Sequence, residues 1–230
     1  DVLGLLPQIK PQLKFTDSEI RQGWEFLNKI GLKKGDKFVC LIARDSAYLE
    51  TPRFDYSYHN YRDSDIDTYA EAALILAGKG YWVFRMGKKV RKPFKAVHPR
   101  IVDYAISEHR SDSLDIWMSA NCYFSLSTNT GIGDAVAVFR RPLAIVNALP
   151  LGYINTSVNP NSIWLPKRNV WAANNQPLTL KEQIKSGVIG FLKTNDYQNA
   201  GVKIIDNNPQ EITDTVLELE KKLTDKWEPH

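Results

Sequence analysis

The segment Ser127-Thr-Asn-Thr-Gly131 puts three hydroxyls, one amide and a glycine where a strand must end and a helix must begin. A helix start leaves its first backbone N–H groups without acceptors and carries the positive end of the helix dipole. The chemistry of such a segment is anion binding, and phosphate is the anion it takes best. The same residue types are also the commonest helix caps, so capping alone is the plain alternative. One cap residue would suffice for that. Four adjacent polar side chains with Gly131 and Gly133 point further, to close backbone approach by a ligand.

Three other polar groups fall at strand ends or helix starts. Arg44 and Asp45 follow the apolar run Lys37 to Ala43. The cluster His59-Asn-Tyr-Arg62-Asp-Ser-Asp65 closes a loop crowded with aromatic rings. Arg110-Ser-Asp112, with Asp115, opens a helix. An arginine beside helix-start hydroxyls suits a pyrophosphate, because the forked guanidinium and the helix N–H groups address the same oxygens. Asp112 or Asp115 suits ribose or sugar hydroxyls, although either can instead cap its helix. Arg62 can likewise form a surface pair with Asp63 or Asp65.

The elements that must hold these residues follow from periodicity. Cys122 to Leu126 is apolar enough for a sheet interior, and Leu143 to Asn147 follows Pro142 closely, so the two strands are expected to be parallel across a right-handed helical crossover. Thr16-Asp-Ser-Glu19 is a capping box, followed at helical spacing by Ile20, Trp24, Leu27 and Ile30. Lys37 to Ala43 reads as a buried strand. Ser64-Asp-Ile-Asp67 starts a helix with Ile66, Tyr69, Ala73 and Leu76 on one face, and Tyr81 to Arg85 is the next strand, carrying Met86 and Gly87 at its end. The helix from Asp112 to Ala120 feeds the strand at Cys122. Alternation of helix and strand predicts a parallel α/β sheet with helices on both faces, in which ligands gather at the carboxyl ends of the strands. Residues 148–177, with four prolines and the anchors Tyr153, Trp164 and Trp171, read as an irregular packed excursion. A helix capped by Thr179, a last strand Val202 to Ile205 and a terminal helix Pro209 to Lys222 complete the chain.

Composition bounds the function. A chain of 230 residues that is 43% hydrophobic can bury a real core. It has no apolar run long enough to span a membrane, and Asp1 to Pro7 lacks the pattern of a signal peptide. The absence of an initiator Met suggests a piece of a longer protein. Cys40 and Cys122 fall inside strand-like runs and are expected to be buried thiols in a reducing cytoplasm. The four histidines have no partner at metal-ligand spacing, so no zinc is expected. The net charge of +4 gathers partly in Gly87 to Arg100, with Lys88, Lys89, Arg91, Lys92, Lys95 and Arg100. Solvation is the plain reading of that loop, and attraction to a phosphorylated ligand or an anionic membrane surface the sharper one. No nucleic-acid motif accompanies it, so no nucleic-acid partner is expected.

The blocks RDSAYL, HNYRDSDIDTY, GYWVFRMGK, RSDSLDIWMSANCYF, STNTG and FRRPLAIVN resemble a family of bacterial glycosyltransferases of the GT-B fold. The likeness is strong from about Phe38 to Asn147 and looser to about residue 215. Arg44 and Ser127 to Gly131 are also similar to the phosphate contacts of fucosyltransferase-like enzymes, although Ile42 stands where those carry a histidine. The resemblance implies a Rossmann-like, C-terminal donor-binding domain over residues 37–230, with 148–177 as its insertion and 1–36 as a helical interdomain segment. An N-terminal acceptor domain is then missing. It implies transfer of a sugar from a nucleotide diphosphate sugar to a glycan or lipid-linked acceptor in polysaccharide biosynthesis, without metal or cofactor, in the cytoplasm or at the inner membrane's edge. In that frame Arg44 and Ser127, Thr128, Asn129, Thr130 and Gly131 neutralise the departing diphosphate. His59, Arg62 and Asp65 shape the sugar side, with His59 or Asp45 as base, and Gly87, Arg110, Asp112 and Asp115 face nucleoside or sugar hydroxyls. A sugar-nucleotide epimerase or related transferase on the same fold, and a non-catalytic nucleotide-binding module, are the alternatives.

Overall fold

The computed structural model describes residues 5, 8–50, 54–154 and 158–224. Six strands form one all-parallel sheet: β1 (Phe38–Ile42), β2 (Trp82–Arg85), β3 (Ile101–Val102), β4 (Phe124–Ser127), β5 (Leu143–Ala148) and β6 (Ile163–Pro166), in the order β3-β2-β1-β4-β5-β6. Central β1 is buried along its whole length. Its residues alternate between two cores, as the two-residue period of a strand requires. Phe38, Cys40 and Ile42 pack with Phe84, Met86 and Ile145 beneath α1 (Asp17–Lys29), α3 (Asp112–Asn121) and α4 (Gly131–Val138). Val39 and Leu41 pack with Val83, Leu126 and Val146 beneath α2 (Ala70–Gly78) and the last helix of the chain, which starts at Pro209. Each fully buried aliphatic side chain of this kind contributes about 1.5 to 3 kcal/mol. Both cysteines are buried and unbridged, as expected.

The expected capping box of α1 is formed, with Glu19 N donating to Thr16 Oγ1 at 3.3 Å and Thr16 N to Glu19 Oε2 at 2.7 Å. The helix packs against α3. A Cβ on Gly23 would lie 2.2 Å from the Trp117 ring, so α1 and α3 approach as closely as a glycine allows.

The stretch 148–177 is more regular than its prolines suggested. It supplies β6 and then β7 (Arg168–Trp171), which pairs antiparallel with β8 (Val202–Ile205) in a separate two-stranded sheet. The expected last strand therefore exists but does not extend the parallel sheet. Around this ribbon lie α5 (Leu180–Lys185) and α6 (Thr194–Asn199), with α7 (Pro209–Leu223) ending the described chain. A third core of Tyr61, Leu149, Leu178, Val188, Tyr197 and Val202 joins the ribbon to the aromatic loop and so anchors the His59 to Asp65 cluster. The helix expected from Ser64 begins as a tight 3-10 turn capped by Asp65, and becomes α-helical only at Ala70. Ser111, not an aspartate, caps α3 by accepting from Leu114 N at 3.2 Å. No helix among the described residues is long and apolar enough to cross a membrane.

Candidate functional site

The sheet grows outward from β1 towards β3 and from β4 towards β6, so the connections leaving β1 and β4 diverge. That divergence opens a crevice at their carboxyl ends, the usual ligand position of an open parallel sheet. Arg44 leaves β1 on one side of it and Ser127 to Gly131 leaves β4 on the other. Arg44 N donates to Thr128 Oγ1 at 2.9 Å, Ser64 N donates to Arg44 O at 3.2 Å, and Arg62 Nη2 donates to Asn129 O at 2.6 Å. Three segments distant in sequence are thereby tied into one unit.

Within the β4–α4 loop the polar residues divide their work. Thr130 is the cap, accepting from Gly133 N at 3.3 Å. Ser127 is fully buried and donates to Thr128 O at 2.8 Å. A Cβ on Gly133 would lie 2.8 Å from Ser127 Oγ, so packing alone accounts for that glycine. Gly131 differs, because a Cβ there would meet nothing within 4 Å. The N–H groups of Gly131 and Ile132, in the first turn of α4, have no acceptor within the helix.

A cleft of about 750 Å³ lies against this loop, lined by Arg44, His59, Arg62, Thr128, Asn129 and Gly131 among others. Arg44 Nε stands 3.2 Å from Asp63 Oδ1, but off the line of a hydrogen bond, and neither atom has a hydrogen-bond partner. Arg62 Nε and His59 Nδ1 are also buried without one. The side chains of Arg44, Arg62 and His59 thus line one cleft, and each keeps a buried nitrogen without a hydrogen-bond partner behind its wall. Burial and the neighbouring Arg62 charge lower the Arg44 guanidinium from its ordinary value, and it stays protonated all the same. Burial, reinforced by the Arg44 and Arg62 charges, holds His59 below its usual range, so the imidazole is neutral at neutral pH.

On the other side of Arg44, Thr130 and Gly131 lies a second cleft of about 500 Å³, which takes in Asp45, Gly87, Arg110, Asp112 and Asp115 and the apolar side chains of Val90, Ile116 and Ile132. Arg110 Nε donates to Asp115 Oδ2 at 3.1 Å and its Nη2 bonds Asp112, which Lys88 also reaches at 2.8 Å. Asp115 is 6% exposed, and its Oδ1 is buried without a partner. Burial holds its carboxyl above the ordinary range, against the pull of Arg110. Asp45 has both oxygens engaged, Oδ1 by Ala47 N at 2.9 Å and Oδ2 by Arg91 N at 2.7 Å.

The sequence-derived candidates are thus sorted into two adjoining clefts, with Arg44, Thr130 and Gly131 common to both. Asp65 lines neither. It accepts from Asp67 N at 3.0 Å and pairs with Lys92 at 2.6 Å. Much of the basic loop is engaged in the same way, Lys92 and Lys95 meeting Asp67 and Arg91 meeting Glu50. Sequence reasoning passed over Asp63 as the partner of Arg44, and Asp134, a carboxylate lining the larger cleft. Asp134 sits in the first turn of α4, where an acidic residue reads simply as a complement to the dipole. Tyr153 and Trp164, expected only to be packing anchors, also line that cleft. Among the described residues no group of three or more His, Cys, Asp or Glu side chains is placed to hold a metal ion.

Solved structures share this architecture. The ADP-heptose LPS heptosyltransferase II of E. coli superposes with a TM-score of 0.54 at 15% identity, over 95% of this chain and 55% of its own. The glycosyl transferase family 9 protein of Veillonella parvula DSM 2008 gives 0.54 at 12% identity, over 94% and 54%. The six-stranded parallel sheet with its helices matches the fold of these GT-B glycosyltransferases over part of their length. The expectation of a parallel α/β sheet with helices on both faces is met. The chain spans about half the length of the solved structures it matches. No protein-family model matches it, and no curated protein does.

Proposed function

We propose that this chain is the donor-binding part of a glycosyltransferase that moves a sugar from a nucleotide diphosphate sugar to a glycan or lipid-linked acceptor. One observation carries the reading: the side chains of Arg44, Arg62 and His59 and the open first turn of α4 line a single cleft at the switch point of the sheet. Two guanidiniums and a helix N-terminus supply the positive charge that a departing diphosphate needs, which makes a metal ion unnecessary. The apolar slot of the second cleft takes the nucleoside, with Asp112 and Asp115 on its wall to accept from ribose or sugar hydroxyls.

In the transfer, the bond from the anomeric carbon to the diphosphate breaks with its electron pair leaving on oxygen, and the acceptor hydroxyl forms the new bond. The acceptor's proton needs a base. A neutral imidazole is suited to that, which favours His59, whereas Asp45 spends both oxygens on backbone N–H groups. The acceptor binds between this sheet domain and a second one.

Calorimetry tests the reading. A nucleoside diphosphate is expected to bind with no effect of EDTA, and Arg44→Ala to weaken that binding by about 1.5 to 3 kcal/mol, the range for hydrogen bonds to charged groups. The parent nucleoside should bind wild type and variant alike. Equal losses for both ligands place Arg44 outside the phosphate site, and a strict Mg²⁺ or Mn²⁺ requirement overturns metal independence.

A further inference from the structure

Lys167 is a buried cation that the site as described does not use. It follows β6 directly, its side chain is 3% exposed, and its ammonium lies 2.8 Å from Asp206 Oδ1 and donates to the main-chain carbonyl of Asp63 at 2.5 Å. Withdrawing an ammonium from water costs several kcal/mol unless its partners compensate. Here the partners lead to the cleft, since the side chain of the same Asp63 faces Arg44. Charges alternate from the half-exposed Asp206 through Lys167 and Asp63 to Arg44. The clamp is doubled by a neutral one. Asn147 and Asn207 exchange backbone-to-side-chain bonds at 2.6 and 2.7 Å, and Asn147 Nδ2 reaches Ser64 Oγ at 3.0 Å. The segment after Arg62 is therefore pinned from β1 by Arg44 O, from β5 by Asn147 and from β6 by Lys167.

We infer that Lys167 is a positioning residue for the anion site: by fixing the main chain of Asp63 it holds the Arg44 guanidinium on the wall of the cleft, so that diphosphate affinity depends on a side chain that never touches the ligand. This rests on the diphosphate reading given above. The off-axis geometry of the Arg44–Asp63 pair is what the inference explains. Asp63 holds the charge of Arg44 in place beside the cleft, at 3.2 Å from its Nε.

The test is a double-mutant cycle of Lys167→Met with Arg44→Ala, read by calorimetry with ADP and UDP and with adenosine and uridine. The Lys167 variant is expected to lose about tenfold in diphosphate affinity with nucleoside affinity unchanged, and to lose at most about twofold once Arg44 is alanine, because coupled neighbours are not additive. A merely structural role predicts equal losses for diphosphate and nucleoside, persisting in the Arg44→Ala background, and that result overturns the inference. Asp206→Asn, at a half-exposed position, gives a second arm if Lys167→Met does not fold. It should weaken diphosphate binding about threefold in the same ligand-selective way, and an unchanged affinity counts against the relay. The NMR signal of Arg44 Nε–H needs no ligand and must move in the Lys167 or Asp206 variant. If wild type binds no diphosphate while that signal moves, the positioning stands and the donor-site reading falls.

Discussion

The backbone N–H of Arg44 and the hydroxyl of Thr128 meet at 2.9 Å, and this bond stitches the exit of β1 to the exit of β4. Thr128→Val keeps the shape and removes the acceptor, leaving a half-buried N–H unsatisfied. A loss of about 1 to 3 kcal/mol in urea unfolding is expected. Thr128→Ser, which retains the oxygen, should recover most of it.

The two glycines of the β4–α4 loop are expected to behave oppositely. Gly133→Ala forces a methyl to within 2.8 Å of Ser127 Oγ and should destabilise by about 1 to 3 kcal/mol. Adding Ser127→Ala should relieve it. Gly131→Ala has open space and should leave stability unchanged or raise it by up to about 1 kcal/mol, while weakening diphosphate binding. Thermal melts with and without ADP separate the effects, and unimpaired binding by Gly131→Ala would remove the reason for a glycine there.

His59 gives a pH signature whose sign is fixed. The fold lowers its pKa below 6.5, so below that pH the unfolded chain binds more protons than the folded one. Its contribution to stability is full above pH 6.5 and is lost as pH falls. A bound diphosphate adds negative charge beside the ring and must raise the pKa. In an NMR titration the His59 midpoint is expected below 6.5 in the free protein and higher with ADP, and an unmoved midpoint takes His59 out of the phosphate's reach.

Gly23→Ala probes how far α1 belongs to the sheet domain. The added methyl would overlap the Trp117 ring at 2.2 Å, so a loss of about 3 kcal/mol or more is expected from chemical denaturation. A helix that merely bridges two domains would tolerate it.

Much of this was legible in the chain because its signals are local. Arg44 and Ser127 to Gly131 each follow an apolar run and sit at punctuation, and a parallel sheet sends both to the same end. The two-residue β3 and the six-residue α6 are too short for any period to register. The prolines around Trp164 disguised β6, which as an edge strand tolerates them. Long-range pairing was beyond reach. Asp63 and Asp65 are equivalent as sequence neighbours of Arg62, yet one faces Arg44 and the other Lys92, and only the fold separates them. Lys167 was hidden for the same reason, since nothing near it in sequence announces a buried charge.

The bond between Arg44 and Thr128 spans 84 positions of chain, with α2, β2, β3 and α3 between. The cleft between these exits comes into being only when the two middle strands lie side by side, a late event for a contact of that span. A diphosphate bound as proposed would accordingly lock the sheet at its centre and not at its margins. Amide exchange should slow most along β1 and β4 when ADP is present, while β3 and β6 go on opening at their own pace.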